Sequence, residues 1–529
     1  MKKFQLLILI GTVSIQSFSQ SPNILLVIAD DLGVDYTNGY HNSNLLPITP
    51  TLDSLRANGL TFMNTFSTAK CTPSRATIMS GKHGVKNGVP GTPGNLDTAH
   101  VSIFRAVEQE TNGLYSDAVI GKWHISQPAN PNHPYEHGAD YYTGLLSSQV
   151  SDYYAWEHTH NGITAIDTNY VTTVLTDESI AWINTQNQPW FLWLAHVAPH
   201  GPFHVPPAAL YNITATGTNA RKYVAMIEAI DHELGRLFAN IPSDERNNTV
   251  VIFIGDNGTP SNLLQNYPSG RGKGTIYQGG IHVPMIVCGQ GVTRKGEKEN
   301  ALVHITDIYA TVLELVGKDL PGGIYNSLSF KHLLDNSPGK TRDYNYSELA
   351  EATDEFTIRN KQYKLIESIT NGTQQFYDLL NDSLEIDDLM LNGLSTDQIN
   401  SKADLEVEAD QRRNFWSCRD HIQNGNEVGI DCGGTYCQPC PVIGVNDHYT
   451  SKYDITIYPN PAQNELTISS ELDNFRLELF TSWGQKILVV TSSENETSID
   501  LSTLSSGVYI TKVFDSKEEL IFLDKLIKN

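Results

Sequence analysis

The sequence predicts an α/β fold, and three observations carry that prediction. Four mostly apolar runs, at residues 23–29, 115–120, 190–195 and 249–254, read as buried strands by length and composition. Stretches with helical apolar spacing, residues 171–185 and 223–239, lie between them. The strand-like runs lead into charged or polar residues, and open α/β sheets place ligands at such strand ends. At 529 residues the chain exceeds one compact core, so two or more domains are expected.

The chain begins with Lys2 and Lys3, an apolar run at residues 4–15, and the small polar exit 16–20, a secretory signal pattern over residues 1–20. The formal net charge of -23 argues against nucleic acid as a partner, because polyanion binders carry a basic face. An anionic small substrate remains compatible if positive charge is gathered in one pocket. Of the six cysteines, Cys418, Cys432, Cys437 and Cys440 crowd into one segment, while Cys71 and Cys288 stand alone. In an exported chain the four are expected to form two disulfides of open connectivity, with a zinc knuckle as the alternative. Cys288 reads as a core residue.

Taken in order, residues 23–29 end in Asp30-Asp31. Two adjacent carboxylates repel, and a strand end tolerates them if a cation binds there. Residues 49–55 read as a helix start with Thr49 as cap and Pro50 in the first turn. Residues 61–65 read as a strand leading to Cys71-Thr72-Pro73-Ser74-Arg75. There Pro73 opens a helix, whose N-terminal dipole suits a nucleophile that attacks an anionic ester. Arg75 lies one turn on and returns to the same site. Lys122 and His124 follow the run 115–120, and in an extended stretch they face one side. Residues 151–162 read as a loop, either a packed surface or a sugar-stacking rim. Residues 190–195 lead into His196, His200 and His204. Their Pro-broken spacing fits neither a helical metal pair nor a zincin. Residues 249–254 end in Asp256-Asn257, so three carboxylates and an amide offer hard oxygen donors. The glycine-rich stretch 271–280 lacks phosphate-loop spacing.

These motifs, in this order, resemble the formylglycine-dependent (type I) sulfatases of the alkaline phosphatase superfamily, over about residues 23–395. The resemblance rests on C-x-P-S-R at 71–75, Asp30-Asp31, Gly121-Lys122-Trp123-His124, the Pro-His-x-Pro element around His200, Asp256-Asn257, and Lys273 ahead of Gly279-Gly280. Gln278 and His282 stand where that family usually has Glu and Arg. The resemblance implies an alkaline-phosphatase-like mixed sheet sandwiched by helices, with a small C-terminal antiparallel sheet and helix. It also implies that Cys71 is oxidised to formylglycine by a maturation enzyme. One Ca2+, rather than Mg2+, is expected on Asp30, Asp31, Cys71, Asp256 and Asn257. Catalytic roles fall to Cys71, Arg75, Lys122, His124, His200 and Lys273, with His196 and His204 at the substrate.

Past residue 410 that likeness stops. From residue 455 short alternating strands separated by turn residues argue a small β-sandwich. The tail resembles the C-terminal sorting domain of the Bacteroidetes type IX secretion route, with a carbohydrate-binding sandwich as the alternative. The expected division is a signal peptide 1–20, a catalytic domain 21–338, its subdomain 339–410, a Cys-rich segment 411–452 and a sorting domain 453–529. The expected function is a secreted sulfatase acting on a sulfated polysaccharide, ulvan or another algal glycan first. Alternatives are a phosphatase or phosphonate hydrolase of the same superfold, or a catalytically dead glycan-binding protein.

Overall fold

A computed structural model describes residues 21–415 and 455–528, apart from 127–128, 216, 319–325, 471, 473, 482–485, 503, 505–506 and 518–519. The expected signal peptide and the four clustered cysteines lie outside the described residues. Two compact units result, residues 1–438 and 439–529.

The first unit is built on a ten-stranded sheet. Its strands are β1 (Asn23–Ala29), β2 (Gly59–Phe62), β4 (Ser116–Lys122), β5 (Tyr141–Leu145), β6 (Trp156–His160), β7 (Ile163–Asp167), β8 (Trp190–His196), β9 (Thr249–Gly255), β10 (Met285–Gly289) and β11 (Glu297–Glu299). A short strand β3 (Thr65–Phe66) pairs elsewhere, with β12 (Val303–His304). The sheet order is β11-β2-β10-β9-β1-β8-β4-β5-β6-β7. Strands β9, β1, β8, β4 and β5 run parallel, and β10 runs antiparallel to both its neighbours. The apolar runs are continuous because both faces are covered. Ile24, Leu26 and Ile28 pack in one core with the helices Cys71–Ser80, Ile103–Thr111 and Asp307–Leu315. Leu25, Val27 and Ala29 pack in the other with Pro50–Ala57, Val171–Ile183 and Asn219–Asn240.

Several expected elements shift. The strand expected at 61–65 divides into β2 and β3. The loop expected at 151–162 contains a strand, β6, with the sequence Trp-Glu-His-Thr-His, paired between β5 and the edge strand β7, with Trp156 and Thr159 buried. Thr49 occupies the N-cap position but its side chain makes no capping bond. Asp231 does that work, accepting from the Thr51 and Leu52 amides at 3.1 and 2.7 Å.

An antiparallel meander follows, β13 (Asn345–Ala350), β14 (Asp354–Arg359), β15 (Tyr363–Ser368) and β16 (Thr373–Asp378). The helix Thr396–Asp410 starts at a capping box of Ser395 and Gln398 and buries Leu405 and Ala409 against Phe356, Leu365 and Phe376. The meander is tied to the large sheet's loops. Ser347 Oγ donates to the Ser67 carbonyl at 2.8 Å, Lys364 Nζ to that of Ile276 at 2.8 Å, and the Gln278 amide to Glu385 at 2.7 Å.

The second unit has two antiparallel sheets. One holds Ile455–Tyr458, Glu465–Ser470 and Glu496–Asp500, the other Lys486–Ser492, Phe475–Thr481, Gly507–Asp515 and Leu520–Lys528. They share a core that includes Leu466, Ile468, Leu477, Leu479 and Val513. Among the described residues no helix is long and apolar enough to cross a membrane.

Candidate active site

Register in the parallel sheet decides where the chemistry sits. Ala29 aligns with both His196 and Gly255, and Gly121 with Ala195. The segments leaving β1, β9, β4 and β8 therefore emerge side by side at the strands' C-terminal ends. Close approach of β4 to β8 requires glycine at 121. Its φ is +113°, and a Cβ there would lie 1.9 Å from the Ala195 carbonyl oxygen.

Those segments deliver Asp30, Asp31, Asp256, Asn257, Lys122, His124 and His200. The helix Cys71–Ser80 delivers Cys71 and Arg75, and its ten residues are all buried. Asp31 adopts φ +68°, its amide donates to Asp256 at 2.9 Å, and its carboxylate accepts from Asn257 Nδ2 at 2.9 Å. Arg75 donates to Asp256 at 2.9 Å and to the Lys122 carbonyl at 2.6 Å, and lies 3.7 Å from Asp30. Lys122 is bonded to Asp30 and sits 3.6 Å from Cys71 Sγ. Lys273 Nζ lies 2.5 Å from Asp31. Three carboxylates thus face three cations, a neutral set before any ion or substrate enters.

One ligand atom each from Asp30, Asp31, Cys71 and His200 lies within 4.8 Å of the others, a group that can hold a metal. Two buried oxygens at this site, Asp30 Oδ1 and Asn257 Oδ1, have no hydrogen-bond partner. Buried polar atoms are normally satisfied, so these two point to a cation. The donor set is almost all hard oxygen, which fits Ca2+ or Mg2+.

The electrostatics follow from burial and neighbours. Burial pushes the Asp30 carboxyl up, but Lys122, His200, Arg75 and Lys273 together outweigh it and hold the group well below the usual carboxylate range. Asp256 moves the other way, because burial and the Asp30 charge exceed the help it receives from Arg75. Burial also raises the Cys71 thiol against the pull of Lys122 and Lys273, so the unmodified sulfur is a poor thiolate. Burial, then Lys122 and Arg75, lower His124 to about 2. His200 is lowered by burial, partly offset by Asp31 at 3.8 Å. Its Nδ1 bonds the Gly201 carbonyl at 2.7 Å, which leaves Nε2 to face the cluster.

The two histidines expected at the substrate differ in setting. His196 was expected at the substrate, but it is fully buried at the end of β8 and neither ring nitrogen has a partner. It shares the parity of Leu192 and Leu194 and points into the sheet's own packing layer. His204 is half-buried, stacked on Tyr153 at 4.0 Å and bonded to the Tyr170 hydroxyl at 3.1 Å, in an aromatic patch with Tyr154. Three supporting residues escaped the sequence reading. Thr72 bonds His124 Nε2 at 3.1 Å, the Tyr223 hydroxyl donates to the Asp31 carbonyl at 2.6 Å, and the Tyr153 hydroxyl meets the Val197 and His200 carbonyls at 3.0 and 2.7 Å. Only Tyr153 carried a signal, as part of the aromatic stretch 151–162.

Comparison with known proteins identifies the family and the fold. The chain is 28% identical over 329 residues to arylsulfatase J of Mus musculus, covering 56% of this chain and 53% of that one. It is 27% identical over 340 residues to N-acetylgalactosamine-6-sulfatase of Homo sapiens, covering 57% and 63%. The chain therefore spans a little over half to just under two thirds of these relatives. The solved structure of Ps i-CgsB in complex with k-i-k-neocarrahexaose superposes with TM-score 0.65 at 24% identity, over 75% of this chain and 94% of that one. PsFucS1 sulfatase from Pseudoalteromonas sp. gives 0.59 at 23%, over 74% and 91%. Both likenesses are of fold. Residues 272–413 match the N-sulphoglucosamine sulphohydrolase C-terminal family. Residues 456–529 match the secretion system C-terminal sorting domain, a type IX export signal that places the protein outside the cell or on its surface. The sulfatase family itself matches residues 22–318, more than half of the 529, and the chain belongs to that family.

Proposed function

We propose that this protein is a secreted sulfatase that hydrolyses sulfate esters on a sulfated polysaccharide or its oligosaccharides, with Cys71, oxidised to formylglycine, as the nucleophilic residue. The observation that carries the reading is the position of Cys71. It is the first residue of a buried helix, 3.6 Å from the Lys122 ammonium and clustered with Asp30, Asp31 and His200. Its Sγ stands in for the oxygen of the modified residue.

Asp30, Asp31, Asp256, Asn257 and residue 71 would hold one Ca2+, which supplies Lewis acidity and fixes the nucleophile's orientation. The modification supplies a hydrated aldehyde, one hydroxyl to attack sulfur and a second whose proton loss expels sulfate as the aldehyde reforms. The chain's own groups do the rest. Lys122, Lys273 and Arg75 offset the anionic charge of the ester, a preorganised contribution of about 3–4 kcal/mol per group. His200, protonated at Nε2, donates that proton to the departing sugar oxygen. Its lowered pKa makes it a strong donor once charged. His124 takes the second hydroxyl's proton. Burial and the Lys122 and Arg75 charges keep its ring in the neutral, proton-accepting form. The signal peptide, the maturation enzyme and the type IX machinery belong to the same reading.

The substrate class is a sulfated glycan, with ulvan, carrageenan and fucoidan ahead of animal glycosaminoglycans. The test has two arms. Mass spectrometry of the peptide holding Cys71, from protein made in a maturation-competent host, should show the aldehyde. A panel of sulfated oligosaccharides and an aryl phosphate, scored for released anion, should show sulfate release. Cys71→Ala should abolish turnover, and full activity in Cys71→Ser would overturn the scheme.

A further inference from the structure

We propose that His158, His160 and Glu178 form a zinc site at the edge of the large sheet, separate from the Asp30 cluster. Residues 158 and 160 are two apart on β6, so their imidazoles share one face. Glu178, on the helix Val171–Ile183, meets them there. One ligand atom from each of the three lies within 4.8 Å of the others, and Glu178 Oε1 is 3.8 Å from His160 Nδ1. Two imidazoles and a carboxylate are a borderline donor set that suits zinc better than calcium. Zn–N bonds of about 2.0 Å require the ligand atoms to close by about 1 Å. Glu178 and His160 are partly exposed and can make that movement, and their exposure also gives the ion a path in.

The surroundings are organised for ligation. His158 Nδ1 is 3.2 Å from Asp167 Oδ2, which turns Nε2 toward the cluster. A carboxylate on the far ring nitrogen is the usual way a zinc-binding histidine is oriented. Trp156 stacks on the His158 ring at 4.5 Å and restricts its rotation. Thr143 Oγ1 lies 2.8 Å from His158 Nε2 and 3.2 Å from His160 Nδ1, and the Tyr141 hydroxyl is 3.0 Å from Glu178 Oε2. These oxygens, or water, can complete the fourth position.

The site would serve the hairpin. β6 joins β5 through only two register pairs, Thr143 with His160 and Gly144 with Thr159, and β7 is largely exposed. An ion shared by β6 and the helix would tie that edge down.

The experiment uses the full-length protein with calcium in excess, so that the hard-oxygen cluster is occupied, and titrates Zn2+ against a chromophoric zinc chelator. Wild type should take up one equivalent that His160→Asn and Glu178→Gln do not. Asp167→Asn should weaken that equivalent by about 10–100-fold. Melting in calcium alone reports that each variant is folded. Hydrogen exchange in residues 156–167 should slow with zinc in wild type only. Uptake by His160→Asn and Glu178→Gln as tight as wild type, or no uptake by wild type, would overturn the assignment.

Discussion

Replacing Tyr153 by Phe tests how His200 is held. The Tyr153 hydroxyl is buried and shares its proton between the carbonyls of Val197 and His200. Val197 keeps a second partner, because the His200 amide donates to it at 3.1 Å. The His200 carbonyl is the group left wanting. One desolvated carbonyl costs about 1–3 kcal/mol, while the ring's stacking on His204 survives the change. The loop is then free to relax so that the carbonyl reaches water. A displacement of about 1 Å at a catalytic group costs up to about 100-fold in rate. We therefore expect kcat to fall about 10–100-fold with KM nearly unchanged, since in the proposed mechanism His200 acts on the leaving oxygen rather than on binding. Initial rates on a sulfated oligosaccharide, paired with a urea midpoint, check this. A variant with the stability loss but full kcat would refute the positioning argument.

Other outcomes follow from the same geometry. Arg75→Ala leaves Asp30 and Asp256 buried without their guanidinium, and a broken buried pair costs about 3–5 kcal/mol, measurable as a lowered urea midpoint. A midpoint within experimental error of wild type would show that the carboxylates do not depend on it. Removing divalent ions with a chelator should abolish sulfate release, and Ca2+ should restore it better than Mg2+. An unchanged rate at zero measured metal would sink the donor-set assignment. Acid should destabilise the fold. Burial, helped by Lys82 for His100 and by His133 for His137, lowers both histidines to about 4. A lowered histidine is stable above its unfolded pKa of about 6.5 and loses that stability as pH falls toward 4. Burial lifts Asp231 to about 6, which works in the opposite sense. From pH 7 to 5 these three groups together lose on the order of 2–3 kcal/mol. Urea midpoints at the two pH values measure it, and a flat profile would contradict it.

The parallel core was legible because strands covered on both faces must be apolar throughout, as β1 is. The candidate ligands Asp30, Asp31, Asp256 and Asn257 could be grouped because they follow directly on β1 and β9. What lay hidden was set by tertiary contact. β6 is a polar strand beside the sheet edge with only Trp156 and Thr159 buried, three apart, so it lacks apolar alternation and reads as loop. The helix Thr396–Asp410 turns only Leu405 and Ala409 inward, too few to set a period by eye. The Pro-His-x-Pro element marks His200 in the sequence, but the burial of His196 follows only from the register. His196 ends a strand and faces its packing layer, and His200 lies past the strand's end.

Cys71 is only 4% exposed, at the base of a helix with no exposed residue. An oxidising enzyme cannot reach such a sulfur without taking that helix apart. The proposed conversion of Cys71 would therefore belong to the time when the polypeptide is still open, during or soon after synthesis. On the proposed scheme, protein that folds first would be locked out of activation, however much oxidising enzyme it meets later. Yield of working molecules is then fixed by a race between two clocks, compaction and chemistry.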